Sequence, residues 1–221
     1  MKLISRIVMS TAMLVTGFTA LAGMSHAETL TATTSIETAN IGTPSGDLSY
    51  SGLRTTLDGG FTNGVEYEAS IRSGDVEGFA YRSFDAELAY LHNGIVGPKV
   101  SYGYAELGDT SFDQTRVGLT GRHQISPDVI IYGDLMTNAD AFADDAAVKL
   151  GAAYDVSHDL TVWGEVGRDS LGVAREDRAE LGMLYHINDH VAFDGRVQAG
   201  DQDGADGIDI SGASAGLAFR F

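Results

Sequence analysis

One turn motif recurs along this chain at a fixed interval, and the interval limits what lies between its copies. Gln124-Ile125-Ser126-Pro127-Asp128-Val129, Asp155-Val156-Ser157-His158-Asp159-Leu160 and His186-Ile187-Asn188-Asp189-His190-Val191 share one pattern: polar, apolar, Ser or Asn, two turn-type residues, apolar. Successive starts lie 31 residues apart. The same step backwards meets Asn93-Gly94, then Thr62-Asn63-Gly64, then residue 31; forwards it meets residue 217. A second set of breaks falls between these turns, near Gly42 to Gly46, Gly74-Asp75, Gly108-Asp109, Asn138 to Asp140, Arg168 to Ser170 and Gly200-Asp201. Each period therefore holds two extended segments of about 11 residues, the length a tilted membrane strand needs. Six periods predict twelve strands. Ten is the competing count, because Thr29 to Ser51 is weakly patterned. Helical repeat arrays have periods in this range, but these segments carry no helical periodicity.

The segments alternate. Val65, Tyr67, Ala69 and Ile71 oppose Glu66, Glu68, Ser70 and Arg72; Val148, Leu150, Ala152 and Tyr154 oppose Ala147, Lys149, Gly151 and Ala153. Val191, Phe193, Gly195 and Val197 oppose Asp194, Arg196 and Gln198. A period of two places one face on an apolar medium and the other on a polar one. Tyr90, Tyr154 and Tyr185 fall at strand ends beside the tight turns, where an interfacial aromatic girdle belongs.

The N-terminus reads as an export signal. Lys2 and Arg6 precede an apolar stretch from Ile7 to Met24, and Ser25-His26-Ala27 offers a small-residue cleavage site after Ala27. Residues 28–221 would then form a single domain. No later stretch approaches the ~20 apolar residues of a spanning helix. A membrane-embedded chain of this kind must cross as strands, and only a closed barrel leaves no unpaired edge in lipid. The chain has no cysteine, so thiolate and disulfide chemistry are absent. Its formal charge of −17 becomes −19 without Lys2 and Arg6, which argues against a nucleic-acid partner.

The last strand reads Ser214-Ala215-Gly216-Leu217-Ala218-Phe219-Arg220-Phe221. A polar residue, a glycine two later, and aromatics at the third-last and last positions resemble the terminal strand of bacterial outer-membrane barrels. That resemblance makes Ser214, Gly216, Phe219 and Phe221 an assembly signal for the barrel-assembly machinery. The chain as a whole resembles small Gram-negative porin-like β-barrel proteins: all-β, a closed antiparallel up-and-down transmembrane barrel in outer-membrane lipid, both termini periplasmic. The turns near 62, 93, 124, 155 and 186 would be periplasmic. Those near 43, 75, 109, 140, 169 and 202 would face outside. Every loop reads as short, which departs from the long constriction loop of general porins.

Alternation assigns the lumen to Glu66, Glu68, Arg72, Asp85, Glu87, Arg116, Arg122, Asp134, Lys149, Glu165, Arg178, Glu180, Asp194 and Arg196, with Trp163 also inward. Two readings stand. These residues form a ladder of ion pairs filling a narrow barrel, or they line a polar pore whose charges set selectivity. The loop carrying Asp201, Asp203, Asp206 and Asp209 offers oxygen ligands to divalent cations. It lacks the EF-hand order, with Ala205 at position five, and reads as a solvated acidic loop, as do Asp140, Asp144 and Asp145. His92, His123, His158, His186 and His190 gather at the expected periplasmic turns, away from the outer rim where lipid chemistry on surface lipid would need a base. The expectation is a channel for passive diffusion of small hydrophilic solutes or ions, without a cofactor or enzymatic step. The alternatives are a closed interaction barrel whose loops bind an external partner, and a lipid-active enzyme.

Overall fold

The computed structural model describes residues 27–140, 146–171, 174–203 and 207–221. The expected signal segment before residue 27, Asp144, Asp145 and Asp206 lie outside these residues. The described chain forms twelve strands: β1 (Ala27–Thr43), β2 (Gly46–Phe61), β3 (Val65–Val76), β4 (Phe79–Tyr90), β5 (Val96–Leu107), β6 (Thr110–Ser126), β7 (Val129–Asn138), β8 (Ala146–Ser157), β9 (Leu160–Leu171), β10 (Ala174–Asn188), β11 (Val191–Asp203) and β12 (Ile208–Arg220). Each pairs antiparallel with its sequence neighbours, and β12 pairs with β1, so the sheet closes without an edge. No helix among the described residues is long and apolar enough to cross a membrane.

Register fixes the dimensions. Following directly paired residues once round the wall from Thr110 passes Leu107, Tyr81, Gly74, Gly52, Glu37, Ser214, Arg196, Gly182, Trp163, Ala153 and Ile130. It returns to β6 at Gln124, 14 residues further along the same strand. With a ~3.3 Å rise and ~4.8 Å strand spacing, twelve strands and this stagger give a tilt of about 40° and a backbone radius of about 12 Å. That is wider than a barrel whose side chains close it completely.

The wall is apolar outside and polar inside, the reverse of a soluble domain. Ile36, Ile71, Leu88, Val100, Leu119, Leu135, Leu150, Val166, Leu181, Val197 and Leu217 all lie exposed on the outward face of their strands. Such a belt, carried by every strand but β2, requires hydrocarbon around it. Tyr90, Tyr154 and Tyr185 stand outward and half exposed at the turn end of this belt.

The recurrent motif is a β-bulge beside a two-residue turn. The ladder skips one residue between Gln124 and Ser126, between Asp155 and Ser157, and between His186 and Asn188. The skipped residues are the motif's apolar positions, Ile125, Val156 and Ile187, all exposed. The Ser or Asn that follows caps the turn: Asn188 Oδ1 accepts from the backbone N–H of His190 and of Val191, each at 2.9 Å. Asp128 and Asp159 N–H donate to Ser126 and Ser157 Oγ at 3.4 and 3.3 Å.

The sequence misplaces three breaks. Gly74-Asp75, Arg168 to Ser170 and Gly200-Asp201 are inside strands, which run on to Val76, Leu171 and Asp203. Glycine and aspartate read as turn residues, but outside the lipid belt a strand tolerates them. Asp75 serves the later turn from within β3: its Oδ1 accepts from Gly78 N–H at 2.6 Å. Glu77 and Gly78 both take positive φ, 49° and 90°, the geometry that suits a two-residue hairpin. The strands consequently run from 10 to 17 residues, longer than the expected 11 on average. The ten-strand alternative is excluded, since β1 pairs along both its edges. β1 and β2 are weakly patterned because Thr and Ser occupy both faces: Thr33 and Ser35 point inward, while Thr34 and Thr55 face outward with their hydroxyls 3.3 Å apart.

Candidate functional site

The inward face carries the charged residues. A cavity of about 410 Å³ occupies the middle of the lumen and the part away from the tight turns. Its lining includes Glu68, Arg72, Asp85, Glu87, Arg116, Asp134, Lys149, Glu165, Arg178, Glu180 and Arg196 among the sequence-assigned positions. A second cavity of about 330 Å³ lies toward the end bearing the tight turns, lined by Glu66, Arg122 and Asp58 among others. Asp194 faces the same interior, buried and clasped by Arg196, whose Nε and Nη2 donate to its two oxygens at 2.9 and 3.2 Å. Trp163 lies beneath the Arg196 guanidinium, 5.3 Å from ring to Cζ.

Three ion-pair groups organise this interior. One chain runs around the wall: Glu87 to Lys99 at 2.5 Å, Lys99 to Asp134 at 2.8 Å, Asp134 to Lys149 at 3.3 Å, and Lys149 to Glu165 at 3.9 Å. A second group gathers arginines. Arg54 and Arg72 sit directly opposite each other on β2 and β3, held by Glu37 at 3.8 and 3.7 Å. Two cations in register repel, and these long contacts compensate only in part. The buried Nε of each has no hydrogen-bond partner among the described residues. A third group consists of chords. Arg122 on β6 reaches Glu66 on β3 at 2.7 Å, and Arg116 on β6 reaches Asp169 on β9 at 2.5 Å. Each chord spans a quarter of the wall. Small inward residues under the chains, among them Gly103, Gly118, Ala147 and Gly151, give the long side chains room.

The wall has the fold of known outer-membrane channel barrels. The barrel is similar to the KdgM porin, with a TM-score of 0.53 and 12% identity over 85% of this chain and 99% of that one. It is similar to the NanC porin (TM-score 0.56, 11% identity, 84% and 98% covered) and to the CymD monoaromatic hydrocarbon channel (TM-score 0.54, 10% identity, 88% and 89% covered). At these identities the likeness is one of fold. No family profile matches the sequence, and no curated protein is similar to it.

Several lumen residues were not named from the sequence. Arg54 and Glu37 lie on the weakly patterned first hairpin, although the alternation of Leu53, Thr55 and Leu57 against Arg54, Thr56 and Asp58 carries the signal. Lys99 opposes Val100, Tyr102 and Tyr104 on β5, so the same parity finds it. Asp169 was hidden by the misplaced break at Arg168 to Ser170. Among the carboxylates of the last hairpin, Asp201 and Asp209 are direct cross-strand partners on the outward face. Asp203 ends β11, and Asp206 is outside the described residues. No group of three metal-type ligands occurs among the described residues. Ser214 and Gly216 face the lumen, and Phe219 and Phe221 face outward. Phe221 N–H donates to Leu30 O at 3.0 Å, tying the last residue to β1 across the closing seam.

Proposed function

We propose that this chain is an outer-membrane porin-like channel that lets small hydrophilic solutes or ions diffuse passively through its lumen. The observation that carries the reading is the interior: two charged cavities of about 410 and 330 Å³ that share Glu68, Glu87 and Lys99 in their linings, inside a wall whose outer face is apolar. Fixed charges of both signs lower the cost of moving a hydrated ion through a low-dielectric wall. They also repel an uncharged apolar solute, which would have to displace their water. The cavity toward the tight turns holds Asp58, Glu66, Glu68 and Glu87 against Lys99 and Arg122, and the whole chain is strongly acidic. The reading therefore includes a preference for cations over anions of equal size.

Export by the N-terminal segment, recognition of Ser214, Gly216, Phe219 and Phe221 by the barrel-assembly machinery, and loose association of divalent cations with the acidic outer loops belong to the same proposal. A KdgM porin has been solved with disordered oligogalacturonate; for this chain the proposal is limited to small hydrophilic solutes. The chords from Arg116 and Arg122 favour a second reading, a closed interaction barrel. Liposome swelling separates the two. Proteoliposomes should swell in salts and small sugars and stop swelling as solute size rises. Liposomes that swell no faster than protein-free controls in any solute refute the channel.

A further inference from the structure

We infer that Lys99 is the constriction of this lumen, closing the gap between the two cavities and setting its charge. The inference rests on the channel reading above. Lys99 comes from β5, and its side chain is 9% exposed, the least of the lumen cations with ion pairs. It does not run along its own strand. It reaches over β6, where its direct partner is Gly118, to Asp134 on β7. A glycine at that position leaves the inward face of β6 without a side chain, so the ammonium crosses a full strand unobstructed. Glu87 on β4 anchors it from the other side. The result is a bridge of charged groups over four adjacent strands.

Its place relative to the open volume gives the bridge a function. Lys99 lines both cavities, together with Glu68 and Glu87. A solute passing from one cavity to the other passes the stretch of wall that these three side chains line. Lys99 also neutralises the carboxylates it touches. Without it, Glu87 loses the Lys99 ammonium and Asp134 keeps Lys149, on the far side of the bridge, while Glu68 keeps Arg54. Loss of the ammonium therefore acts twice: the gap widens by the volume of a long side chain, and its charge becomes negative, which favours cations.

The chain has no cysteine, which permits a clean chemical test. Wild type, Lys99→Met, Lys99→Ala and Lys99→Cys are refolded, checked by heat-modifiable gel mobility and recorded as single channels in planar bilayers under a KCl gradient. K99A should conduct more than wild type and shift the reversal potential toward the potassium potential. K99M, which keeps the length but not the charge, should shift the reversal potential with a smaller rise in conductance. Aminoethylation of K99C should return both quantities toward wild type, and a neutral thiol reagent of equal size should not restore the reversal potential. A wild type without current refutes the channel reading itself. A conducting wild type whose conductance and reversal potential survive K99A and K99M unchanged overturns the constriction. If neither variant folds, Ser101→Cys, the next inward residue on β5, carrying a bulky thiol adduct should block current; undiminished current overturns the inference.

Discussion

Replacing Leu150 by arginine distinguishes a lipid-facing residue from an exposed residue in water. Leu150 is 60% exposed on the outward face of β8. It lies four residues from Tyr154, which stands outward at the girdle. At ~3.3 Å per residue and a tilt of about 40°, four residues place it about 10 Å above that ring. The apolar band of such barrels is about 25 Å tall, so Leu150 sits near its midplane. Arginine there should cost the full ~2–4 kcal/mol measured for midplane positions, about a 30- to 900-fold loss in the folding equilibrium. A water-exposed leucine with the same accessibility would tolerate the change within about 0.5 kcal/mol. The inward control is Ala147→Lys, three residues away on the same strand and lining the lumen. Denaturant titration of both variants in lipid vesicles should show L150R strongly destabilised and A147K close to wild type. Equal effects, or a neutral L150R, would refute the assignment of faces.

Other outcomes follow from single contacts. Arg196→Met leaves the carboxylate of Asp194 buried and unpaired and should lower stability by about 3 kcal/mol; the double variant with Asp194→Asn should recover most of it, measured by the same titration. Gly216→Val would drive its side chain into the Thr34 carbonyl across the β1–β12 seam, so the barrel should lose heat-modifiable mobility. In the exposed turn 158–159, the carboxylate of Asp159, 3.0 Å from His158 Nδ1, raises the pKa of the imidazole. The favoured form is the imidazolium, so its contribution to stability is full below the unfolded value and fades as pH rises through the higher folded value. NMR titration should find the His158 midpoint above that of a free histidine and lowered by Asp159→Asn. Truncation of Phe221 should reduce insertion into outer membranes more than it reduces refolding in detergent; equal losses would remove its role as a signal to the assembly machinery.

The strand count and the facing of most side chains were legible because lipid and lumen demand opposite chemistry at successive residues. Leu150 and Lys149 could not exchange faces without burying a charge in hydrocarbon. The bulged turns were legible as a motif, yet their cause was not: Ile125, Val156 and Ile187 recur because each is an extra residue outside the ladder. Where strands leave the membrane the constraint lapses, and Gly74-Asp75 and Gly200-Asp201 then look like turns although the ladder continues through them. The ion-pair partners were beyond reach of parity. That Arg116 meets Asp169 and Arg122 meets Glu66, three strands away in either direction, depends on the curvature and stagger of the closed wall.

The chain's single tryptophan reports on the central claim that the polar face encloses water. Trp163 points inward against Arg196, away from the apolar belt. In vesicles, its fluorescence should be quenched by aqueous acrylamide and remain unchanged when the acyl chains carry bromine. Strong quenching by brominated lipid without an acrylamide effect would mean that the charged face is not the interior, and the account would fail.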